Sequence, residues 1–422
     1  MKTFIILFCL ITEFTLAQNE WVKIGEMPRP VYGARAVVID TAIYIVGGFD
    51  DQLPDNSSNK YSDSIRVYYP ESGTWGTSVK MVEPRYGLIA ANYNDSLIYL
   101  GGIATINANS SSIEVWNRNT TPYLYKFNQD FERHYGTGVA SGGNLFLFGG
   151  NNSLLNFNYL SKINIQSGNT VFNSNFNLTV ALTNQASATD NNNIYLFGGI
   201  QVSIIGVGTI QTVINSIYKY EISSNTQTLL GTQLNRPLSF CDVVYFGNAQ
   251  YYIIGGIDES NILSEVEIFD AAKLQITSGP SLNKARKELT AVKYHNSIYV
   301  FGGIDDNKQS IKDIEKLDVI TGISQQENSI INDYHLYNNY PNPFNPSTII
   351  KYSVPKESFV SLKIYNIIGE EIKTLVNEKK SAGNYAIKFN AYQNGNSLPS
   401  GVYFYKLQVA DFSQTKKMML LK

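Results

Sequence analysis

Charged side chains that could hold a polar ligand recur at two kinds of position along the chain. Basic residues stand a few places before apolar, strand-like runs: Arg85, Arg133, His134, Arg236 and Arg286. Acidic residues follow Gly-Gly pairs: Asp50, Asp51, Asp258 and Asp305, with Glu259 and Asp306 beside them. A guanidinium and a carboxylate that converge on one ligand can orient it and, with suitable pKa values, transfer protons. These residues are the candidate ligand-binding set, provided that the fold brings the two positions together.

Metal and nucleophile chemistry has little support in the sequence. The 422 residues include three histidines, His134, His295 and His335, and no two of them stand at metal-ligand spacing. Cys241 lies in the strand-like run 240–246, where a small buried apolar side chain is the expected role. We therefore expect no metal, no cofactor and no catalytic residue.

The charge and the apolar runs exclude two classes of partner. The net charge is −2, and the 33 Lys and Arg residues are spread along the chain without a basic stripe. Such a chain has no footprint for nucleic acid. No apolar run after the N-terminus approaches the ~20 residues that span a bilayer, so no membrane span is expected.

Residues 1–17 are typical of a secretory signal peptide, although a buried strand is the alternative interpretation. Lys2 supplies the positive start, residues 4–11 are apolar, and small residues end at Ala17. Removal of this segment leaves Cys241 as the only cysteine. The exported chain must then be held together by packing, because it cannot form an internal disulfide.

An apolar run that ends in Gly-Gly occurs six times in the sequence. The pairs are Gly47-Gly48, Gly101-Gly102, Gly149-Gly150, Gly198-Gly199, Gly255-Gly256 and Gly302-Gly303. The first glycines are 54, 48, 49, 57 and 47 residues apart, which suits a repeated unit of four short strands. Each run is apolar on both faces, so the repeated sheets should stack face to face.

The repeat resembles that of the Kelch family, in which a strand ending in Gly-Gly is followed by a Tyr and then a Trp. The first copy matches best, with Gly47-Gly48, Tyr68 and Trp75. The resemblance covers residues 20–320 and implies an all-β fold, a six-bladed Kelch β-propeller. The last copy lacks a fourth strand, and the segment 20–24 has the pattern of one. We therefore expect the propeller to span residues 18–323, with the N-terminal strand closing blade six.

In a blade of this kind, the loop after Gly-Gly shares a face with the loop that leads to the next blade. The basic and acidic candidates would then meet on one face near the mouth of the channel. An alternative is that the arginines pair with backbone carbonyls or with the neighbouring blade, and that the aspartates form turns.

The C-terminal part predicts a second domain, residues 337–422, after a linker at 324–336. Its short strands alternate in polarity, which indicates a small Ig-like β-sandwich. The stretches Tyr340–Thr348, Val360–Asn366 and Leu398–Phe404 resemble the C-terminal sorting domain of the type IX secretion system of Bacteroidota. The resemblance implies the type IX machinery as a partner, and a protein that is secreted or held at the outer cell surface of such a bacterium.

The sequence leaves three functions open. The first is a non-catalytic binding or adhesion module for an unknown glycan or protein. The second is a carbohydrate-active enzyme, because Kelch proteins similar to this one include sialic acid mutarotases. The third is a structural component of the cell surface. A proton-transfer pair with shifted pKa values at the channel mouth would favour the enzyme, whereas a tightly filled channel would favour the binder.

Overall fold

The chain folds into two compact units, residues 1–320 and 321–422. A computed structural model describes residues 20–53, 60–93, 95–105, 108–117, 120–127, 132–152, 158–165, 176–177, 180–205, 208–319, 334–337, 339, 342–393, 396–409 and 412–421. The predicted signal peptide, 1–17, and positions 324–333 of the predicted linker lie outside these residues. In the part of the chain that the structure describes, no helix has both the length and the apolar character that a bilayer crossing demands.

The first unit contains short strands in a nearly regular succession. They are β1 (Trp21–Glu26), β2 (Arg35–Ile39), β3 (Ala42–Val46), β4 (Ser64–Tyr69), β5 (Thr74–Trp75), β6 (Val79–Lys80), β7 (Ile89–Tyr93), β8 (Ser96–Leu100), β9 (Ile103–Thr105), β10 (Ala108–Asn109), β11 (Ser112–Trp116), β12 (Tyr123–Phe127), β13 (Thr137–Ser141), β14 (Asn144–Phe148), β15 (Tyr159–Asn164), β16 (Phe176–Asn177), β17 (Leu182–Thr183), β18 (Ala186–Thr189), β19 (Asn193–Phe197), β20 (Ile200–Ile205), β21 (Gly208–Val213), β22 (Ser216–Glu221), β23 (Thr226–Gln233), β24 (Asp242–Gly247), β25 (Gln250–Ile254), β26 (Val266–Asp270), β27 (Gln275–Ser278), β28 (Thr290–Tyr294), β29 (Ser297–Phe301) and β30 (Asp313–Asp318).

Within the described residues, these strands form six antiparallel sheets of similar plan. We number them in chain order by their strand orders: sheet 1 is β2-β3-β4-β5 with β6 also on β4, sheet 2 is β7-β8-β11-β12, sheet 3 is β13-β14-β15-β16, sheet 4 is β18-β19-β22-β23, sheet 5 is β24-β25-β26-β27, and sheet 6 is β28-β29-β30-β1. Two smaller assemblies, β9-β10 and β17-β20-β21, extend the loops of sheets 2 and 4.

The first strand of each sheet contacts the first strand of both neighbouring sheets, and the succession is cyclic. The contacts run from β2 to β7, β13, β18, β24 and β28, and from β28 back to β2. A separate apolar core lies between each pair of adjacent sheets. The second strands supply side chains to two of these cores at once, which explains why they are apolar on both faces.

Sheet 6 is completed by the N-terminal strand. β1 pairs antiparallel with β30, with Trp21 opposite Leu317. The Trp21 side chain is buried, and its indole N–H donates to the carbonyl of Pro280, 2.9 Å away in sheet 5. The two ends of the first unit therefore meet in one sheet, which leaves no open edge at β30.

The Gly-Gly pairs join each sheet to the next. The N–H of the second glycine donates to a carbonyl in the loop of the following sheet, at 2.7–3.0 Å, and the last such bond runs from Gly303 back to Val31. A Cβ at the first glycine would collide with the same loop: at Gly149 it would lie 2.1 Å from the carbonyl oxygen of Leu182. The repeated glycines are thus required by the close approach of adjacent sheets.

The second unit contains nine further strands around one core. They are β31 (His335–Leu336), β32 (Ser347–Val354), β33 (Ser358–Tyr365), β34 (Glu371–Lys380), β35 (Gly383–Asn390), β36 (Tyr392–Gln393), β37 (Asn396–Ser397), β38 (Gly401–Val409) and β39 (Phe412–Leu420). Its two main sheets have the orders β31-β32-β35 and β34-β33-β38-β39. Both contribute buried side chains, such as Tyr352 and Leu362, to the same apolar core.

Candidate functional site

The first strand of each sheet is its inner strand. Six residues, one just before each inner strand, form a closed ring of backbone hydrogen bonds. We call them the axial ring: Gly33, Gly87, Tyr135, Asn184, Phe240 and Glu288. Each N–H donates to the carbonyl of the ring residue in the preceding sheet at 2.8–3.0 Å, and Gly33 closes the circle by donating to Glu288. The ring lies at the end of the sheets where the inner strands begin and the Gly-Gly strands finish.

All six residues of the axial ring have a left-handed backbone, with φ between 53° and 66°. Glycine adopts this conformation freely, and it stands in the ring in sheets 1 and 2. Tyr135, Phe240 and Glu288 adopt it at a cost of about 1–2 kcal/mol each. Strain of this kind concentrates at functional sites, so these side chains are candidates for ligand contact.

A small cavity, which we call the axial cavity, opens at the ring. Its walls are Gly33, Arg35, Gly87, Tyr135, Asn184, Gln185, Phe240, Cys241, Glu288 and Leu289. The space that solvent can occupy there is about 30 Å³. That volume holds one or two water molecules but not a whole sugar or nucleotide.

Two residues of the cavity wall carry buried side-chain atoms without a hydrogen-bond partner. Gln185 is 2% exposed, and neither its amide nitrogen nor its amide oxygen is bonded. The side-chain oxygen of Asn184 is also buried and unbonded. A buried polar atom left in this state costs about 1–3 kcal/mol of stability.

Arg35 and Glu288 are charged side chains of the cavity wall, and Asp242 and Lys287 are charged neighbours of these two. Burial raises the pKa of Glu288 and of Asp242, and the positive charge of Arg35 acts against both increases. Asp242 accepts the N–H of Ala291 at 2.8 Å. Cys241 is fully buried, and burial raises its thiol pKa to about 12, so the thiolate nucleophile is not populated near neutral pH.

Glu288 ends a short chain of hydroxyl groups. The Tyr135 hydroxyl donates to the Tyr86 hydroxyl at 2.7 Å, and the Tyr86 hydroxyl donates to the Glu288 carboxylate at 2.5 Å. Burial is the main cause of the raised pKa of both tyrosines. The buried carboxyl group of Glu288, in the cavity wall, is thus hydrogen-bonded to a chain of two tyrosines.

Aromatic side chains cover the same end of the first unit. We call the group Tyr32, Phe49, Tyr61, Tyr86, Tyr135 and Phe240 the aromatic patch. Tyr86 and Tyr135 meet edge to face with ring centroids 5.6 Å apart, and Tyr135 and Phe240 do so at 5.5 Å. The Lys287 ammonium lies 5.4 Å from the centre of the Phe240 ring, within cation–π range.

Comparison with known proteins assigns both units. A sequence profile of the Kelch motif matches residues 30–75 and 285–326, and one of the secretion system C-terminal sorting domain matches residues 338–421. The chain carries Kelch motifs and a secretion-system sorting domain. The Kelch motifs and the all-β architecture place the first unit in the β-propeller class.

Curated relatives match part of the chain. The chain is 25% identical over 141 residues to a Kelch domain-containing protein of Sulfurisphaera tokodaii, covering 33% of this chain and 19% of the relative. It is 23% identical over 262 residues to alpha-scruin of Limulus polyphemus, covering 61% and 22%, and 21% identical over 105 residues to human Kelch repeat and BTB domain-containing protein 12, covering 24% and 17%. The chain thus spans less than a quarter of the length of each of these relatives.

Three arginines of the predicted set are buried supports of the Kelch sheets. Arg85, Arg133 and Arg286 are 0% exposed. Each donates to the carbonyl of the first glycine of its own Gly-Gly pair at 2.9–3.1 Å. They therefore offer no group to a ligand at the surface.

Buried carboxylates complete two of these supports. Arg85 pairs with Glu114 at 2.9 Å, and Arg286 pairs with Glu315 at 2.5 Å. Arg66 reaches the corresponding glycine carbonyl in sheet 1 at 3.4 Å.

Most of the predicted aspartates stabilise loops. Asp50 is 2% exposed and pairs with Arg29 at 2.8 Å. Asp258 accepts two backbone N–H groups of its own turn at 2.8 Å, and Asp305 does the same at 2.9 Å. Asp51 accepts the hydroxyl of Ser310 at 2.6 Å and so links the loops of sheets 1 and 6.

Two basic residues of the predicted set remain partly accessible. Arg236 is 41% exposed and lies 3.6 Å from Asp258 and 3.5 Å from Glu265. His134 is half-buried next to Tyr135, and burial lowers its pKa to about 4. Neither belongs to the axial ring, although His134 immediately precedes it.

Sequence reasoning missed the residues that surround the cavity. Arg35, Gln185 and Glu288 share no motif, and the axial ring holds four different non-glycine residues. A positional signal could have found the ring residues. Each lies two places after the residue whose carbonyl accepts the N–H of the second glycine of the preceding sheet.

Proposed function

We propose that residues 18–323 form a six-bladed Kelch β-propeller that acts outside the cell as a non-catalytic binding module for a glycan or a protein. The six stacked sheets, the cyclic contacts of their inner strands and the two closed sets of hydrogen bonds support the blade number. In this arrangement β1 closes blade six. Kelch repeats are typical of protein-interaction modules, which fits the same function.

The observation that carries the binding role is the aromatic patch around the axial cavity. Half-buried aromatic side chains beside a few convergent polar groups are the usual lining of a ligand site. The cavity is too small to enclose a substrate, so the ligand would lie mainly on the patch. Surface recognition without enclosure favours a binder over an enzyme.

The test is capture of ligand by the mature protein, residues 18–422. The protein is applied to a glycan array and used to capture proteins from cell-surface extracts. Phe240→Ala should reduce binding of the captured ligand at least tenfold, because it removes a patch side chain next to the cavity. Tyr123→Ala is the matched control, since Tyr123 is 46% exposed in β12, outside the patch. Equal binding by both variants would refute the proposed site.

We further propose that residues 337–422 form an Ig-like β-sandwich that directs export through the type IX secretion machinery. The match to the secretion system C-terminal sorting domain supports this role. Removal of residues 337–422 in the source bacterium should retain the propeller in the periplasm, as measured by cell fractionation. Unchanged appearance at the surface or in the medium would contradict the role.

A second candidate function is favoured by the hydrogen bond from Tyr86 to Glu288. A carboxyl group with a raised pKa could move a proton to or from a sugar hydroxyl at the cavity, as a sugar mutarotase requires. The test is the rate at which the protein interconverts sugar anomers, followed by NMR. The enzyme is supported if the wild-type protein exceeds buffer and Glu288→Gln does not, and it is excluded if neither exceeds buffer.

A further inference from the structure

We propose that β21 is a dimerisation edge, which pairs with the β21 strand of a second copy of this chain. The two strands would run antiparallel about a two-fold axis at Gln211. β21 is the last strand of the small sheet β17-β20-β21. The inference is independent of the proposed ligand site, because no residue of β21 belongs to the aromatic patch or lines the axial cavity.

One side of β21 has no strand partner among the described residues. Its other side pairs with β20 along the whole strand, from Ile200 opposite Val213 to Ile205 opposite Gly208, without a register shift. The unpaired side of such a strand presents a row of N–H and C=O groups, to which another extended strand can bond. The chemistry of this edge therefore specifies a polypeptide strand as its partner.

The hydrogen bonds of β20 show which backbone groups of β21 point outwards. The N–H of Val202 donates at 3.2 Å to the carbonyl of Ala181, which immediately precedes β17 on the other side of β20. Val202 lies opposite Gln211, so these two residues exchange no backbone hydrogen bonds. Because bonded and unbonded pairs alternate in an antiparallel ladder, Thr209, Gln211 and Val213 direct their N–H and C=O groups away from β20.

β21 lacks the features that protect an exposed edge. Proteins blunt such edges with charged side chains, prolines, β-bulges or very short strands. No charged residue occurs between Asp190 and Lys219, and β21 has six residues without a proline. Apart from the inner strands, every other described strand of more than four residues that ends a sheet contains a charged residue or a register shift: β1, β12, β23, β34, β35 and β39.

The side chains of β21 match a second copy of the same strand. An axis at Gln211 would place this residue opposite its copy, where the two amides can bond each other. Thr209 would lie opposite Val213 of the second copy. Ile210 would lie opposite Thr212, and all four of these side chains are β-branched, which favours cross-strand pairing. The outward backbone groups of the two strands would then form about six hydrogen bonds.

The size of the edge sets the strength of the dimer. Ile210 is 51% exposed, and Thr209, Gln211 and Thr212 are also exposed, so both faces of the strand are open to solvent. A pair of six-residue strands buries less surface than the roughly 1,200–2,000 Å² of a stable specific interface. We therefore expect a reversible dimer that forms between micromolar and millimolar concentration.

The experiment is analytical ultracentrifugation of the mature protein, residues 18–422, from micromolar to millimolar concentration. The expected result for the wild type is a monomer–dimer equilibrium. Hydrogen exchange at low and at high concentration locates the contact. Exchange in residues 208–213 should slow as the dimer forms, because the outward N–H groups become bonded.

Charge exchange at Gln211 is the decisive test. Gln211→Lys and Gln211→Glu should each weaken the dimer about fivefold or more, because like charges then lie opposite each other across the axis. An equimolar mixture of the two variants should restore dimer formation, since opposite charges then meet. The matched control is Gln275→Lys on the exposed strand β27, which should dimerise as the wild type does.

A second variant tests the backbone bonds. Gln211→Pro removes an N–H that does not bond β20, so the hairpin should persist while the dimer is lost. Hydrogen exchange of β20 checks that the hairpin is intact.

Each other outcome overturns the proposal. A wild type that stays monomeric at millimolar concentration would exclude the dimer. A dimer that the Gln211 variants leave unchanged, or that mixing fails to restore, would form through a different surface. If β21 instead binds an extended segment of another protein, the wild type alone would remain a monomer and the assignment to a second copy would fail.

Discussion

Gly33 and Gly142 separate two reasons for glycine in this fold. Both have a left-handed backbone, with φ of 63° and 54°. A Cβ at Gly33 would lie 2.3 Å from the Tyr86 ring, whereas a Cβ at Gly142 would meet no atom within 4 Å. At Gly33 the side chain is therefore excluded by both conformation and space, and at Gly142 by conformation alone.

We expect Gly33→Ala to lower the free energy of unfolding more than Gly142→Ala does. The left-handed alanine costs about 1–2 kcal/mol in both variants, and displacement of Tyr86 adds about 1–3 kcal/mol at Gly33. Chemical denaturation measures the difference. Equal losses would mean that Tyr86 moves aside freely and that its bond to Glu288 contributes little.

His134 should make the propeller sensitive to acid. Burial lowers its pKa from 6.5 to about 4, so the folded state binds fewer protons than the unfolded state between these values. Its contribution to stability is present at neutral pH and is lost as the pH falls from 6.5 towards 4. The stability advantage of the wild type over His134→Gln should therefore shrink on acidification, as measured by unfolding at both pH values.

Glu288→Gln provides a control of opposite sign. Burial raises the pKa of Glu288, so its carboxyl group stabilises the folded state below its unfolded pKa and loses that effect as the pH rises through the folded value. The stability of the wild type relative to Glu288→Gln should therefore increase on acidification. The same sign for both variants would contradict one of the two pKa directions.

At the scale of the strand and its loop, the buried arginines explain how a sheet end is held together. Arg286 bonds the carbonyls of Gly302 and Asp313 and the carboxylate of Glu315, which ties its loop to two strands of sheet 6. The sequence placed these arginines correctly before the inner strands. The sequence did not decide whether they point into their own sheets, because the sequence around a loop arginine is similar whether its side chain is buried or exposed.

Arg286→Met should destabilise the protein by about 3–5 kcal/mol, because Glu315 would remain buried without its partner. The double variant Arg286→Met with Glu315→Leu should recover most of that loss, since it removes the unpaired charge as well. Denaturation of the two variants gives the comparison. Failure of the second substitution to rescue would show that the bonds to the glycine and aspartate carbonyls dominate.

At the scale of the whole molecule, stability depends on the closure of the circle of sheets. The buried Trp21 joins sheet 6 to sheet 5 through its hydrogen bond to Pro280. The side-chain amide of Asn283 donates to the carbonyl of Trp21 at 2.8 Å. Trp75 also donates to a carbonyl, that of Glu26 at 3.0 Å, but it is less buried. The two tryptophans therefore form a matched pair.

Trp21→Ala should lower the free energy of unfolding by about 3–5 kcal/mol and loosen β1, whereas Trp75→Ala should cost less. Hydrogen exchange of β1 and β30 should accelerate in the first variant, because their pairing then lacks its anchor. Unchanged exchange in Trp21→Ala would mean that closure does not depend on this side chain.

The sequence by itself determined the all-β class, the Kelch motifs and the sorting domain. These features depend on local sequence patterns. The apolar runs that end in Gly-Gly recur at nearly equal spacing, and each run must be buried on both faces. The tertiary structure decided which charged residues are accessible and which residues surround the axial cavity. Arg35, Gln185 and Glu288 belong to three different sheets and line the same cavity only because the circle of sheets closes. No local sequence pattern could therefore predict them.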